Sequence, residues 1–283
     1  MKNTKGCNEL LSKSCGGRHL GRGADRKRTM ERSEYRVMYR LERTYWWFTG
    51  KQFLVREQLR SLPSMLGRDL RILDIGCGTG IILKILEEFG QAVGIEMSQE
   101  AIRFLKRRGL KHIVCSDAEQ TLPFKDGSFS MITCLDVLEH LDRDVALLDE
   151  MLRVCHEGGY VLVTVPAFNL LWSTHDVVLH HRRRYTRAAL LGEISVLNCE
   201  VIKASYYNFM LSLPILAVRK LRSLFGEKGK GQSDFSIDLP RAVNRPLSAL
   251  YKLEILGLRL FRYPYGVSLL LVLRKPGQKK GSP

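Results

Sequence analysis

The chain has 283 residues, of which 45% are hydrophobic, and its formal net charge is +16. Its seven cysteines are scattered with no C-x-x-C pair, which excludes a disulfide framework and a zinc ligand set and favours a reducing cytoplasm. The length allows one sizeable core with appendages.

The positive charge lies at the two ends of the chain. Residues 1–29 hold eight Lys and Arg against two Asp and Glu, and residues 203–283 hold fifteen against four. A basic end suits RNA, an anionic membrane or a phosphorylated substrate, and charge alone does not choose among these partners.

Residues 1–29 are rich in Gly, Ser, Lys and Arg and have no apolar run. They therefore do not resemble a secretory signal, and we expect a disordered basic extension before Met30. The longest apolar run, residues 209–218, is too short to span a bilayer and is broken by Pro214. We expect a cytoplasmic protein that contacts the inner face of a membrane at most peripherally.

From Met30 onward the pattern predicts two helices in residues 30–62, joined near residues 46–50, and then alternating strands and helices. Short apolar runs predict seven strands, at 70–75, 91–95, 111–115, 129–135, 159–165, 199–206 and 267–273. Amphipathic stretches predict helices between them, at 79–89, 98–108, 142–155 and 186–196. This alternation is typical of a doubly wound, mostly parallel α/β sheet covered on both faces, within one domain over residues 30–283.

A helical insertion over residues 207–262 precedes the last predicted strand. The helix predicted at 241–261 is most simply interpreted as part of the core, although basic residues line one side of it. The segment 208–225 is apolar on most sides, with basic residues at its end. We expect the insertion to act as an acceptor lid, a dimer surface or a membrane-surface anchor.

The first predicted strand runs into the glycine loop "RILDIGCGTG" at residues 71–80. A dinucleotide fingerprint needs a third glycine or an alanine where this chain has Ile81. No Lys-Ser or Lys-Thr pair ends the loop, so the loop is not a phosphate-binding P-loop. The spacing is G-x-G-x-G, with Asp74 at the strand end.

These residues resemble the class I S-adenosylmethionine (SAM)-dependent methyltransferases of the type 11/12 group. Besides "LDIGCGTG", the matching segments are "VGIEMS" (93–98), "SDAEQTLPFKDGSFSMITCLDVLEHL" (116–141) and "EGGYVLVTVP" (157–166). The resemblance covers most of the chain after Met30 and implies a Rossmann-like fold, SAM as cofactor and methyl transfer. The residues it implies at the cofactor are Asp74, Gly76, Cys77, Gly78, Gly80, Glu96, Met97, Asp117, Ala118 and Leu135.

Chemistry suggests roles for three of these residues. Asp74 places negative charge near the methionine ammonium or the sulfonium. Glu96, at the tip of the second strand, suits the two ribose hydroxyls, and Asp117 suits the adenine amino group. Each of them taken alone is more simply an ordinary strand-end carboxylate.

The segment "FNLLWSTHDVVLHHRRRYT" (168–186) follows the fifth strand and therefore lies near the expected acceptor site. It resembles a methyltransferase subgroup with a W-x-x-H-D…H-x-R-R-Y pattern that follows a Trp-Trp-Phe like residues 46–48. That subgroup includes enzymes that modify cell-surface glycans, lipids or small metabolites. The acceptor residues implied are Trp46, Trp47, His180, Arg182, Arg183 and Tyr185.

Methyl transfer to oxygen gains from a base that removes the acceptor proton. We expect His175 with Asp176 to be the first candidate for this base, and His140 to be the second. Since adjacent residues seldom bond each other, Asp176 has two alternative roles, as a helix cap or as the partner of another histidine. The H-D…H pattern supplies no clean third ligand, so we expect no metal site.

The arginine run 182–184 suits an anionic acceptor. An equal alternative is that its members pair with the acidic segment 142–150, and Tyr185 suits a structural role in the same way. The function indicated is SAM-dependent methylation of a small-molecule, glycan or lipid-linked acceptor at oxygen. The alternatives are an RNA methyltransferase that uses the basic ends and a non-catalytic SAM-binding subunit.

Overall fold

The computed structural model describes residues 30–62, 70–224, 234 and 239–277. The predicted disordered extension, residues 1–29, lies outside the described residues. Seven strands form one sheet in the order β3-β2-β1-β4-β5-β7-β6. They are β1 Leu70–Ile75, β2 Gly90–Glu96, β3 Ile113–Cys115, β4 Phe129–Leu135, β5 Cys155–Pro166, β6 Glu200–Tyr207 and β7 Ser268–Arg274.

All strands run parallel except β7, which is antiparallel to both of its neighbours, β5 and β6. The predicted doubly wound, mostly parallel sheet is therefore confirmed. Its strand order reverses between β1 and β4, and in such sheets ligands bind beyond the carboxyl ends of the strands at that point. Asp74 lies near the end of β1, and Asp136 directly follows β4.

Nine helices surround the sheet in the described part of the chain. They are α1 Arg32–Leu41, α2 Trp46–Ser61, α3 Ile81–Leu86, α4 Gln99–Arg107, α5 Asp144–Val154, α6 Thr174–Val178, α7 Arg187–Ile194, α8 Ser212–Leu224 and α9 Arg241–Gly257. Single 3-10 turns form at Leu138–His140 and Asn169–Leu171. Among these helices, none is both long enough and apolar enough to cross a bilayer.

Both faces of the sheet are covered, as its continuous apolar strands require. Leu148 of α5 and Leu190 of α7 belong to the core on one face. Leu54 of α2, Leu83 of α3 and Ile255 of α9 belong to the core on the other face.

The predicted junction between the first two helices is displaced. Residues 46–50 form the first turn of α2, and the connection lies before Trp46. The reason is a cap from a distant helix: Asn244 Oδ1 of α9 accepts the N–H of Trp46 at 2.8 Å, and Asn244 Nδ2 donates to the Thr44 carbonyl at 2.7 Å. Local sequence gives no sign of this partner.

The second helix of the insertion, α9, packs into the core. A Cβ added at Gly50 of α2 would lie 2.0 Å from the Tyr251 ring of α9, so only glycine allows this close approach. Tyr251 is fully buried and stacks on Tyr207 of β6. By contrast, α8 exposes apolar side chains, including Leu213 and Leu221.

Candidate active site

The loop between β1 and α3 turns sharply at the carboxyl ends of the strands. Gly76 has φ +68° and Gly80 has φ +88°, which is the left-handed region that favours glycine. A Cβ at Gly76 would lie 2.5 Å from Val137 Cγ2, and one at Gly80 would lie 2.5 Å from Leu105 Cδ2. The alternating glycines therefore allow both the turn and close packing beneath the site.

Asp74 is buried at the end of β1 with one oxygen satisfied. Its Oδ1 accepts a hydrogen bond from Thr133 Oγ1 at 2.6 Å, whereas Oδ2 has no hydrogen-bond partner in the described ranges. Burial raises the pKa of Asp74 to about 7, with a further contribution from the nearby Glu96 carboxylate, although the Thr133 hydrogen bond opposes the rise. The Asp74 side chain is thus suited to a cation that the described part of the chain does not supply.

Glu96 is the last residue of β2, and Asp117 follows β3 along the same edge of the sheet. The Glu96 oxygens accept the N–H groups of Gly78 at 2.9 Å and Ser98 at 2.8 Å, and burial raises the pKa of this carboxyl. Asp117 Oδ1 accepts the Glu119 N–H at 2.9 Å. Backbone amides therefore fix both carboxylates at the cavity.

One cavity brings most of the predicted site residues together. All ten residues predicted at the cofactor line it, together with Trp47, His140 and His175. Its lining does not include six other predicted residues: Trp46, Asp176, His180, Arg182, Arg183 and Tyr185. Trp46 lines a neighbouring cavity instead.

Asp176 serves both of the alternative roles and does not orient the adjacent His175. Its Oδ2 accepts the Ser173 N–H at 2.8 Å, which completes a capping box at the start of α6. Its Oδ1 lies 2.8 Å from His181 Nδ1 and accepts from Arg184 Nε, also at 2.8 Å. Burial alone would raise the pKa of Asp176, but the bonds from His181 and Arg184 hold it well below the usual range.

His140 and His175 are held in the neutral form. Burial lowers the pKa of His140 to about 3, helped by the neighbouring His181, and burial lowers that of His175 to about 4. His175 Nδ1 accepts the backbone N–H of Asp234 at 3.1 Å. In the neutral ring the hydrogen then lies on Nε2, so this geometry favours His175 as a donor to an acceptor oxygen over its predicted role as base.

The arginine run divides between structural pairs. Arg182 pairs with Asp142, Arg183 Nη1 donates to Asp144 at 3.0 Å, and Tyr185 Oη donates to the same carboxylate at 2.7 Å. These contacts support the alternative pairing with the acidic segment, and a role of these three residues at the acceptor stays a prediction. His180 has φ +60° and lies 3.9 Å from Glu31, away from the cavity lining.

The charged residues of this cavity that sequence reasoning missed include Lys51, Asp136 and Glu139. Lys51 Nζ of α2 donates to Asp136 Oδ2 and to Tyr207 Oη, both at 2.7 Å. Nothing in the local pattern around Lys51 distinguishes it from a surface lysine. Glu139, by contrast, stands beside the predicted His140 within the quoted "LDVLEHL".

A second, largely apolar cavity adjoins the first, between α2 and the insertion. Trp47, His175, Arg219 and Val267 line both cavities. The other side chains around it are Tyr45, Trp46, Leu211, Pro214, Ile215, Val218, Asp234, Leu239 and Leu247. The predicted lid region thus contributes walls to a space next to the cofactor cavity.

Residues 73–163 match the protein family described as "Methyltransferase domain". The chain carries a class I SAM-dependent methyltransferase domain. A solved structure with a similar fold is a methyltransferase in complex with the Trm112 methyltransferase activator of Haloferax volcanii. It has a TM-score of 0.54 at 17% identity, over 87% of this chain and 94% of that chain.

Curated relatives of this methyltransferase domain differ in their acceptors. The ubiquinone biosynthesis O-methyltransferase of Ralstonia nicotianae is 25% identical over 167 residues, which cover 54% of this chain and 64% of that protein. A human protein named as a probable tRNA methyltransferase 9B is 31% identical over 143 residues, which cover 48% of this chain and 29% of that protein. The chain spans less than two thirds of the length of either relative.

SAM, the cofactor of this methyltransferase family, fits the residues of the cavity. The buried Asp74 Oδ2 lacks a partner in the described part of the chain, which suits the cofactor's ammonium or sulfonium charge. The Glu96 oxygens accept backbone N–H groups, including those of Gly78 and Ser98, and a carboxylate has about four lone-pair sites, which leaves capacity for a ribose hydroxyl. When bound, SAM supplies an electrophilic methyl group on a positively charged sulfur.

Proposed function

We propose that this methyltransferase transfers the methyl group of SAM to a hydroxyl oxygen on an acceptor with an apolar chain, such as a lipid-linked molecule. The observation that carries the proposal is the apolar cavity beside the cofactor cavity, with four lining residues in common. Such a space suits an acceptor whose polar end reaches the cofactor while its apolar part lies between α2 and α8.

The reaction is a displacement at the methyl carbon. A lone pair of the acceptor oxygen forms the new O–C bond, and the electrons of the S–CH₃ bond stay on sulfur, which gives S-adenosylhomocysteine. His175 stands at the junction of the two cavities, where its Nε2–H holds the acceptor oxygen by a hydrogen bond. The acceptor proton passes to solvent as the O–C bond forms.

The surface of α8 supports a membrane source for such an acceptor. Leu213 is 63% exposed and Leu221 is 52% exposed, and the exposed basic residue Lys220 lies on the same helix. Apolar side chains beside basic ones suit the surface of an anionic membrane. The insertion would then both contact the membrane and admit the apolar chain.

The test is methyl transfer from radiolabelled SAM to matched hydroxyl acceptors that carry a short or a long alkyl chain. Val218→Arg places a charge in the apolar cavity, and we expect it to reduce turnover of the long-chain acceptor at least tenfold without changing SAM binding. Val196→Arg is the control, because Val196 is exposed, lies on no part of the insertion and lines neither cavity. Equal turnover by the two variants would contradict the proposed acceptor, and labelling of tRNA in preference to either acceptor would favour the RNA alternative.

A further inference from the structure

A buried acidic side chain, Glu139, lies in the lining of the cofactor cavity. Glu139 is 0% exposed, and neither of its oxygens accepts a hydrogen bond from another residue that the structure describes. The neighbouring carboxylates do have close partners: Asp136 bonds to Lys51, and Asp176 bonds to Arg184. An unpaired buried carboxylate is costly, so its presence calls for a partner of another kind.

Two histidine rings lie against this carboxylate. His181 Nε2 is 3.8 Å from Glu139 Oε1, and the rings of His140 and His181 meet edge to face with centroids 4.9 Å apart. Each of the three residues has one atom able to bind a metal, a ring nitrogen or a carboxylate oxygen. These three atoms all lie within 4.8 Å of one another. A backbone hydrogen bond holds the segment of His181 next to that of Glu139, because the Arg182 N–H donates to the Glu139 carbonyl at 2.8 Å.

Hydrogen bonds to neighbouring residues orient the imidazole rings of His140 and His181. His181 Nδ1 donates to Asp176 Oδ1 at 2.8 Å, an acceptor that Arg184 also bonds, and the other ring nitrogen, Nε2, faces Glu139. His140 has a hydrogen bond to the backbone of His180. Histidines that bind metals characteristically donate their second N–H to a carboxylate or a carbonyl in this way.

We propose that Glu139, His140 and His181 bind a divalent transition-metal cation such as Mn²⁺ or Zn²⁺ in the cavity that holds SAM. Two imidazoles and one carboxylate form a ligand set suited to these ions and less suited to Mg²⁺, which prefers oxygen ligands. Ligand atoms about 2.0–2.2 Å from one ion lie roughly 3–3.5 Å apart. Small rotations of the two rings would therefore close the present spacing.

The role of the ion rests on the proposed function, whereas its binding does not. Bound through its oxygen to the ion, the acceptor hydroxyl becomes more acidic, as water does on a metal. It loses its proton to solvent and attacks the methyl carbon as an oxyanion, so neither ring needs to act as a base. The ion would give the buried Glu139 a partner that the described residues do not supply.

The test is a calorimetric titration of the full chain, after treatment with a chelator, with MnCl₂, ZnCl₂ or MgCl₂ alone. We expect one equivalent of Mn²⁺ or Zn²⁺ to bind, and at least tenfold weaker binding by E139Q, which keeps the size of the side chain. H181Q removes a different ligand and should weaken binding similarly, so that a folding defect in one variant does not decide the result. The matched control is H112Q, because His112 is exposed and lies outside the cavity lining.

Absence of Mn²⁺ and Zn²⁺ binding by the wild-type chain would overturn the proposal, and so would equal binding by wild type, E139Q and H181Q. SAM binding is measured on the same samples as a check of folding. Methyl transfer to the long-chain acceptor that persists in chelated protein would also refute the ion's role and leave the proposed function intact. Cation binding without any transfer to hydroxyl acceptors would refute the proposed function and leave the site intact.

Discussion

Asp74 makes SAM binding depend on pH in a direction that the structure determines. Burial raises the pKa of Asp74 to about 7 when no cation lies beside it. A positively charged cofactor favours the ionised carboxylate, so binding lowers this pKa and releases a proton when the carboxyl was protonated beforehand. Affinity for SAM must therefore rise as the pH increases through this pKa.

The magnitude follows from the fraction of Asp74 that is ionised before binding. At pH 6.0 a group of pKa about 7 is roughly 90% protonated, which weakens apparent binding about elevenfold relative to the ionised form. At pH 7.5 the corresponding factor is about 1.3. We therefore expect SAM to bind about eightfold more tightly at pH 7.5 than at pH 6.0, with release of about 0.9 proton at the lower pH.

The assay is isothermal titration calorimetry at both pH values, in buffers of different ionisation enthalpy so that protons are counted directly. Thr133→Val assigns the effect to Asp74, because it removes the hydrogen bond that stabilises the carboxylate and should move the midpoint to higher pH. His140 and His175, with pKa values of about 3 and 4, do not titrate in this range. Equal affinity at the two pH values, or an unchanged midpoint in Thr133→Val, would refute the reasoning.

Alanine substitutions at two glycines with positive φ distinguish the cost of backbone strain from the cost of steric overlap. Gly80→Ala should lower the free energy of unfolding by about 2–4 kcal/mol, because φ is +88° and the new Cβ would lie 2.5 Å from Leu105 and Leu110. Gly109→Ala should lower it by only about 1–2 kcal/mol, because φ is +76° but nothing lies within 4 Å. Urea denaturation measures both values, and equal losses would show that the loop accommodates the extra carbon.

The fold and the cofactor cavity could be predicted from the sequence because both depend on local sequence patterns. Apolar runs that alternate with amphipathic stretches predict parallel strands and covering helices, and all seven strands form near their predicted places. Boundaries differ by a few residues, as where β5 begins at Cys155 and not at 159. The cofactor residues lie at strand ends, so strand assignment and motif spacing place them together.

The contacts on the acceptor side of the site were harder to predict from the sequence, because they join distant parts of the chain. Asp176 bonds to His181 and Arg184, and no pattern distinguishes these partners from the adjacent His175. Lys51 reaches Asp136 across 85 residues. Such pairings depend on how α2 and the segment after β5 pack over the sheet edge, which periodicity does not determine.

The most direct test of the cofactor site is calorimetric SAM binding by the full chain at pH 7.5, with Glu96→Ala and the control Glu88→Ala. Glu96 lines the cavity, whereas Glu88 pairs with Arg56 outside the cavity lining. We predict one SAM per chain for the wild type and for Glu88→Ala, and at least tenfold weaker binding by Glu96→Ala. Wild-type affinity in a folded Glu96→Ala variant would contradict the assignment of this cavity to SAM.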